Sequence, residues 1–409
     1  MPAGVSSAGS FVSFRVHAFR VYFLGQVLSN VGTWFQSLAQ ALLVISLTGS
    51  GLALGAVPAL QWLPTLVLGG YGGVVADRYD PRRVLAVTNG AAGLLSVVLA
   101  VVTGMGVVNQ WWVYVLVLAG GLVQVFDRPA AALIPAELVP SSMLENALGL
   151  NSLVQSSARL IGPALAGLAY ATLGPTWCFS INALSYAAVL VGLSRIRPRE
   201  LYPRPRAGRA RGQMRDGLRY AWRTPDLRVL LVCNAVIGML AFNFMTVITG
   251  VVRLGFELGG TEVGLAHAAN ALGSVAGGLV AGRIAGWTIR RLDVVCLTFG
   301  LVLLANAAAP SFLVFLALGP LLGLTLSVYQ VTVQASAHRQ SAGPMLGRVL
   351  GLVTLGAVGT TPLGSVVVGA VMELWHPRAA FLVGAAGCLG CAAVLALRPA
   401  APPSPVRTS

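Results

Sequence analysis

The chain has 409 residues, 56% of them hydrophobic and only 10% charged, where soluble domains carry roughly 25% charged residues, and its mean hydropathy is +0.80. This composition excludes an ordinary soluble domain and implies a chain solvated mainly by lipid. The formal net charge is +15, and all 27 basic residues are arginine, so a Walker A phosphate loop and a Schiff-base lysine are both chemically impossible, which removes ATP-driven pumping by this chain and imine chemistry.

Taken in order, twelve apolar runs are long enough, at about 20 residues, to cross about 30 Å of hydrocarbon as helices. They fall at 19–41, 52–76, 82–104, 110–127, 146–172, 177–194, 227–252, 262–284, 292–309, 311–335, 347–372 and 379–397. Short links such as "LTGSG" and "AAAPS" argue against soluble core helices, and the lack of ten-residue alternation argues against a β-barrel. The "AQA" at 39–41 imitates a signal-peptidase site, but Gln26, Asn30, Thr33 and Ser37 spoil the preceding apolar core, so the run is read as the first membrane helix. All five cysteines lie in predicted helices, including "CLGC" at 388–391, and are read as packing residues. The four histidines are far apart and neither GxSxG nor HExxH occurs. No enzyme, metal site or cofactor is expected.

Arginine placement sets the orientation, because positively charged loops stay cytoplasmic. With both termini inside, 24 of the 27 arginines fall on the cytoplasmic side, leaving Arg253 and Arg378 outside and Arg159 within a helix. The basic charge is thereby assigned to topology and not to nucleic acid. The segment 195–228 holds eleven arginines and divides the chain six helices plus six. The expected organisation is an N-terminal half at 1–194, a cytoplasmic linker at 195–228, a C-terminal half at 229–398 and a disordered tail at 399–409. Within the linker, "QMRDGLRYAWR" reads as a helix along the membrane surface, anchored by Leu218, Tyr220 and Trp222.

Between the second and third runs stands "GGVVADRYDPRR" at 72–83, and half the chain later "GGLVAGRIAGWTIRRLDVV" at 277–295 repeats its plan, which implies internal duplication. The first copy matches G-x-x-x-D-R-x-G-x-R-R through Gly73, Asp77, Arg78, Arg82 and Arg83. On these residues the chain resembles the major facilitator superfamily over nearly its whole length. "DRPAAALIPAELVP" after the fourth run, "RLIGPALAG" in the fifth and "CFSINALSYAAVLVGL" in the sixth resemble the branch holding enterobactin exporters and macrolide-type efflux proteins. The resemblance implies an all-α fold of twelve transmembrane helices in two six-helix pseudo-symmetric halves. It also implies that the loop latches the cytoplasmic side in the outward-facing state. Physically, Gly73 would let the second helix approach a neighbour, Asp77 would accept hydrogen bonds from the N-terminus of the eleventh helix near Leu346 to Val349, and Arg78 would reach Asp127. Asp80 stands where the family has glycine, implying a different turn, and "GPALAG" at 162–167 replaces the antiporter pattern GPxxGG.

Polar residues inside membrane helices mark cavities or tight packing. Gln26, Asn30, Thr33, Ser37 and Gln40 fall within about 80° of one face at 100° per residue, and the resemblance places the first helix at the central cavity. Asn151, Gln155 and Arg159 form a second stripe. The expected cavity residues are Gln26, Asn30, Thr33, Gln124, Gln155, Arg159, Asn234, Phe242, Tyr329 and Gln330, with Asn270 as a weaker candidate and His267 read as structural. Asp127 and Arg159 are the candidates for proton coupling. The expected protein is a monomeric secondary transporter of the bacterial inner membrane, with the lipid bilayer, a small-molecule substrate and protons as partners. It would export a small amphipathic molecule (a drug, siderophore or secondary metabolite) by proton antiport, the alternatives being an importer or a transport-incompetent sensor on the same fold.

Overall fold

A computed structural model describes residues 11–202, 213–283, 291–342 and 345–397. Most of the Arg/Pro-rich linker, Arg290 and the tail lie outside this set, as does the side chain of Asp77. The first half consists of α1 (His17–Thr48), α2 (Gly51–Arg78), α3 (Pro81–Gly104), α4 (Gln110–Leu138), α5 (Leu144–Leu173) and α6 (Pro175–Arg195). A short helix, α7 (Gln213–Arg223), follows. The second half consists of α8 (Pro225–Ala241), α9 (Phe244–Gly250), α10 (Gly260–Arg283), α11 (Leu292–Ala307), α12 (Phe312–Gln340), α13 (Leu346–Val358), α14 (Thr361–Leu374) and α15 (Ala379–Ala396). No strand occurs among the described residues.

Twelve membrane crossings result, α8 with α9 making the seventh and α13 with α14 the eleventh. Ten are long and apolar enough to span by length and composition alone. Of the other two, α11 is short at 16 residues, and α5 is diluted by Asn146, Asn151, Gln155 and Arg159 along its 30 residues. Large apolar side chains such as Val67, Val87, Leu184, Leu272 and Leu313 face outward and exposed, as they should where lipid is the solvent.

Helix starts follow from local chemistry. The Ser50 hydroxyl accepts the Ala53 N–H at 3.1 Å, and Asn109 Oδ1 accepts from Trp111 and Trp112 at 3.1 and 3.2 Å, each satisfying N–H groups that a helix leaves unpaired. Asp80 does the same for α3, accepting the Arg82 N–H at 2.9 Å with Pro81 in the first turn. Its departure from the family glycine is thus a helix cap, with φ of −61°, and needs no left-handed turn.

One expectation is corrected here. Helix α4 continues past 127 to Leu138 through Pro129 and Pro135, so Asp127 and Arg128 lie within it and "DRPAAALIPAEL" is helical. A close approach of α2 to a neighbour is made by Gly72, beside the buried Gly73: a Cβ on Gly72 would overlap the Val125 carbonyl of α4. Gly277, at the same place in the second copy of the loop, is likewise packed on the backbone of Leu324 of α12. The pairs α2–α4 and α10–α12 are thus equivalent contacts in the two halves, which is the duplication expressed as packing.

The halves meet chiefly where α2 crosses α14 and α5 crosses α10. Both crossings lie toward one end of the bundle, here called the distal end, opposite the terminal end that carries Phe11, α7 and the close of α15. At the first, a Cβ on Gly55 would overlap the Ser365 carbonyl, and Gly369 lies against Gly51 and Gly55. At the second, Gly167 lies against Gly260 and Gly264. Small residues let backbones touch where lipid offers no hydrophobic drive to associate. At the terminal end, α7 packs on α13 and α8. Its Asp216 lies 3.8 Å from Arg348, and the Tyr220 hydroxyl accepts the Ala342 N–H at 3.1 Å. Leu218 and Trp222 remain exposed, whereas Tyr220, expected as a membrane anchor, is turned into the protein.

Candidate substrate cavity

Between the halves lies a cavity of about 1130 Å³, enough for a ligand larger than the usual drug-sized pocket of about 300–1,000 Å³. The two glycine crossings bound it at the distal end, and it runs toward the terminal end as far as Ala132, Asn151, Leu279 and Gln334. All five residues of the α1 stripe, Gln26, Asn30, Thr33, Ser37 and Gln40, line it. So do Gln124, Asn151, Gln155, Arg159, Phe242, Asn270 and Gln330.

Two expected residues do not. Asn234, 2% exposed, donates its amide to the Val353 carbonyl at 2.8 Å and accepts from the Tyr329 hydroxyl at 3.5 Å. Tyr329 is fully buried, its ring edge-on to Phe242 at 5.8 Å and tilted on Phe299 at 6.0 Å. Both amide atoms of Asn234 are spent on holding α8 to α13 and α12, so the pair belongs to the core of the second half. Asn243, which lies at the break between α8 and α9, lines the cavity instead. His267 is buried with Nε2 3.2 Å from the Thr249 hydroxyl, and its ring also borders the cavity.

The first-half wall is cross-tied. Gln36 Oε1 accepts from Ser96 of α3 at 2.8 Å and from Asn182 of α6 at 2.7 Å, while Thr33 and the Tyr186 hydroxyl lie 3.2 Å apart. Asn30 donates to Gln26 Oε1 at 3.0 Å, and Gln26 to the Tyr22 hydroxyl at 2.9 Å. Gln36, Gln61, Asn89, Asn182, Tyr186, Trp34 and Trp62 also line the cavity and were not anticipated. Gln36 stands off the angular stripe of α1, and Asn182 lies in a run whose polarity is otherwise slight, so angular spacing alone misses them.

Three charged side chains line this space. Asp127 Oδ1 accepts from the Thr88 hydroxyl at 2.6 Å and from Asn89 at 3.0 Å. Its partners come from α3, whereas Arg78 is exposed at the end of α2 and forms no ion pair with it among the described residues. Arg128 donates to Gln124 at 2.8 Å and lies over the Trp62 ring at 4.0 Å. Arg159 lies over the Trp34 ring at 5.3 Å and is exposed to the cavity. An Arg128 inside α4 means that Arg159 is not the sole intramembrane arginine. Of the loop residues, Gly73 is buried, Arg83 is exposed, and Arg82 Nε donates to the Leu193 carbonyl at 3.0 Å, tying α3 to the end of α6.

Residues 8–404 match the family described as transmembrane secretion effector. The chain belongs to that family of major facilitator transporters. Among its relatives, the enterobactin exporter EntS of Salmonella paratyphi A is 23% identical over 90% of this chain and 89% of its own. Macrolide efflux protein A of Streptococcus pyogenes is 22% identical over 82% of this chain and 84% of its own. In fold, the chain is similar to the nucleoside transporter NupG, with a TM-score of 0.71 and 11% identity, covering 93% of this chain and 98% of that one. The family transporter is a multi-pass membrane protein, handles a small molecule and is not an enzyme.

Proposed function

We propose that this protein exports a small amphipathic molecule across the bacterial inner membrane by proton antiport and alternating access. The observation that carries the reading is the cavity itself: membrane-embedded, lined by polar side chains set among apolar ones, bounded distally by glycine crossings and running to the terminal end. With both termini cytoplasmic, as the arginine distribution favours, this is a cavity loaded from inside. The names of the enterobactin and macrolide relatives support the outward direction.

In this reading Arg159 holds an anionic group of the substrate, because a guanidinium in the bilayer costs roughly 2.5–3.5 kcal/mol on insertion scales and a ring face offsets only part of that. Asp127 carries the proton. Thr88 and Asn89 hold the carboxylate beside the cavity, where protonation and substrate occupancy can compete. In the alternate state Gly73, Asp77, Arg78, Arg82 and Arg83 latch the terminal end, with Asp77 on the N-terminus of α13.

The test is flux. Everted membrane vesicles carrying the protein should accumulate an exported substrate when their interior is acidified, and release protons as they do so. Accumulation that ignores the pH gradient would remove the antiport reading. Uptake into intact cells instead of efflux would make the protein an importer.

A further inference from the structure

The N-terminus of α2 is capped from both halves of the molecule at once. Its own Ser50 accepts the Ala53 N–H at 3.1 Å. The Gly51 N–H, one residue away, donates to Glu373 Oε2 at 2.8 Å, and Glu373 lies near the end of α14, in the other half. Gly51 is buried. A Cβ there would meet Met372 at 2.6 Å and the Gly369 carbonyl at 3.1 Å, so carboxylate and amide meet only when the α2–α14 crossing is closed.

We propose that Glu373 is a gating residue of the transport cycle: its contact with the first turn of α2 holds the distal end shut and must break before the cavity can open there. The helix N-terminus carries partial positive charge and unpaired N–H groups, and a carboxylate hydrogen bond to it is charge-assisted. Glu373 makes no ion pair among the described residues, so its charge is directed at α2. The arrangement mirrors the latch proposed for the terminal end. There Asp77, near the C-terminal end of α2, would meet the N-terminus of α13; here Glu373, near the C-terminal end of the same two-part crossing, meets the N-terminus of α2. The two contacts lie at opposite ends of one antiparallel pair, so rocking that makes one breaks the other. The proposal rests on alternating access between the halves and is independent of substrate, direction and coupling ion.

Spin labels on Leu47→Cys and Leu374→Cys report the distal separation of the halves in lipid nanodiscs, in the full chain with its buried native cysteines replaced by alanine. Glu373→Ala should raise the distal-open fraction roughly three- to tenfold, and Glu373→Gln, which keeps an acceptor but not the charge, by less. Ser50→Ala is the control that separates gating from helix stability: it uncaps the same turn within one half and should leave the distance distribution unchanged. If Glu373→Ala leaves the distribution unchanged, or if Ser50→Ala shifts it as far, Glu373 is only a helix cap and the proposal fails. Should Glu373→Ala not fold, an unchanged distribution in Glu373→Gln overturns it equally. Failure of export assays with a normal distal shift would count against the function proposed above and not against the gate.

Discussion

The Arg159 guanidinium lies 5.3 Å from the centre of the Trp34 ring, joining α5 to α1 across the first-half wall of the cavity. Next to this contact the backbones touch, a Cβ on Gly162 lying 2.7 Å from Trp34 Cβ. The ring is therefore held in place, and it borders the cavity together with the cation.

Arg159→Lys keeps the charge but loses the planar fork, and Arg159→Gln loses both. For an anionic substrate, the glutamine variant should lose about ten- to hundredfold in apparent affinity, the worth of one charge-assisted hydrogen bond. The lysine variant should fall between. Equilibrium binding of paired carboxylate and amide probes to purified protein measures this. Equal loss for both probes would assign Arg159 to packing.

Asp127→Asn leaves an oxygen to accept from Thr88 and Asn89 but cannot carry a proton in exchange. Substrate counterflow between equal pools should persist, while accumulation driven by a pH gradient should vanish. Both are read from the same proteoliposomes, and retained gradient-driven accumulation would move coupling elsewhere.

Asn234→Ala removes the amide shared by Val353 and Tyr329 and leaves buried partners unpaired, which costs about 1–3 kcal/mol. Thermal unfolding in detergent should shift down while substrate affinity stays within error. A selective loss of affinity would return Asn234 to the cavity.

Gly167→Val places a side chain where the Gly260 carbonyl and Gly264 already stand. Distal closure should become impossible without displacing α10, so transport should stop while insertion and expression persist. Cysteine accessibility at Leu173→Cys, near the distal end of α5, should rise. Normal turnover would show that this crossing is not a seal.

Orientation is checked by reporter fusions. Alkaline phosphatase joined after Gly212 should be inactive, because the proposed orientation puts the linker in the cytoplasm. Strong periplasmic activity would invert the topology.

Much of this architecture was legible in the sequence because lipid imposes length and polarity on each crossing, and the α1 stripe was legible because a continuous helix keeps its angular spacing. The seventh and eleventh crossings defeat that method. Breaks at Phe242–Asn243 and Gly359–Thr360 interrupt them, and because nine residues at about 100° each put Asn234 and Asn243 on opposite faces, spacing says that one of the two is turned from the cavity but not that it is Asn234. The fourth apolar run stops at the charged pair Asp127 and Arg128, so hydropathy puts Asp127 at a helix end, although the helix runs on through Pro129 and Pro135. Neighbouring helices supply the packing that lets α4 continue past them.

The two breaks also touch. A Cβ on Gly364 would overlap the Met239 carbonyl, with Asn243 Nδ2 at 2.7 Å, and the Thr360 hydroxyl lies 3.5 Å from the Ala235 carbonyl. The first half has no such seam: its six helices are continuous, and Gln36 rivets α1, α3 and α6 together. Amide hydrogen exchange should therefore be lopsided, fast along the paired breaks and slow around Gln36. The half that carries the arginines facing the cavity is the stiff jaw, and the half that bends is the one nearly bare of charge at the cavity.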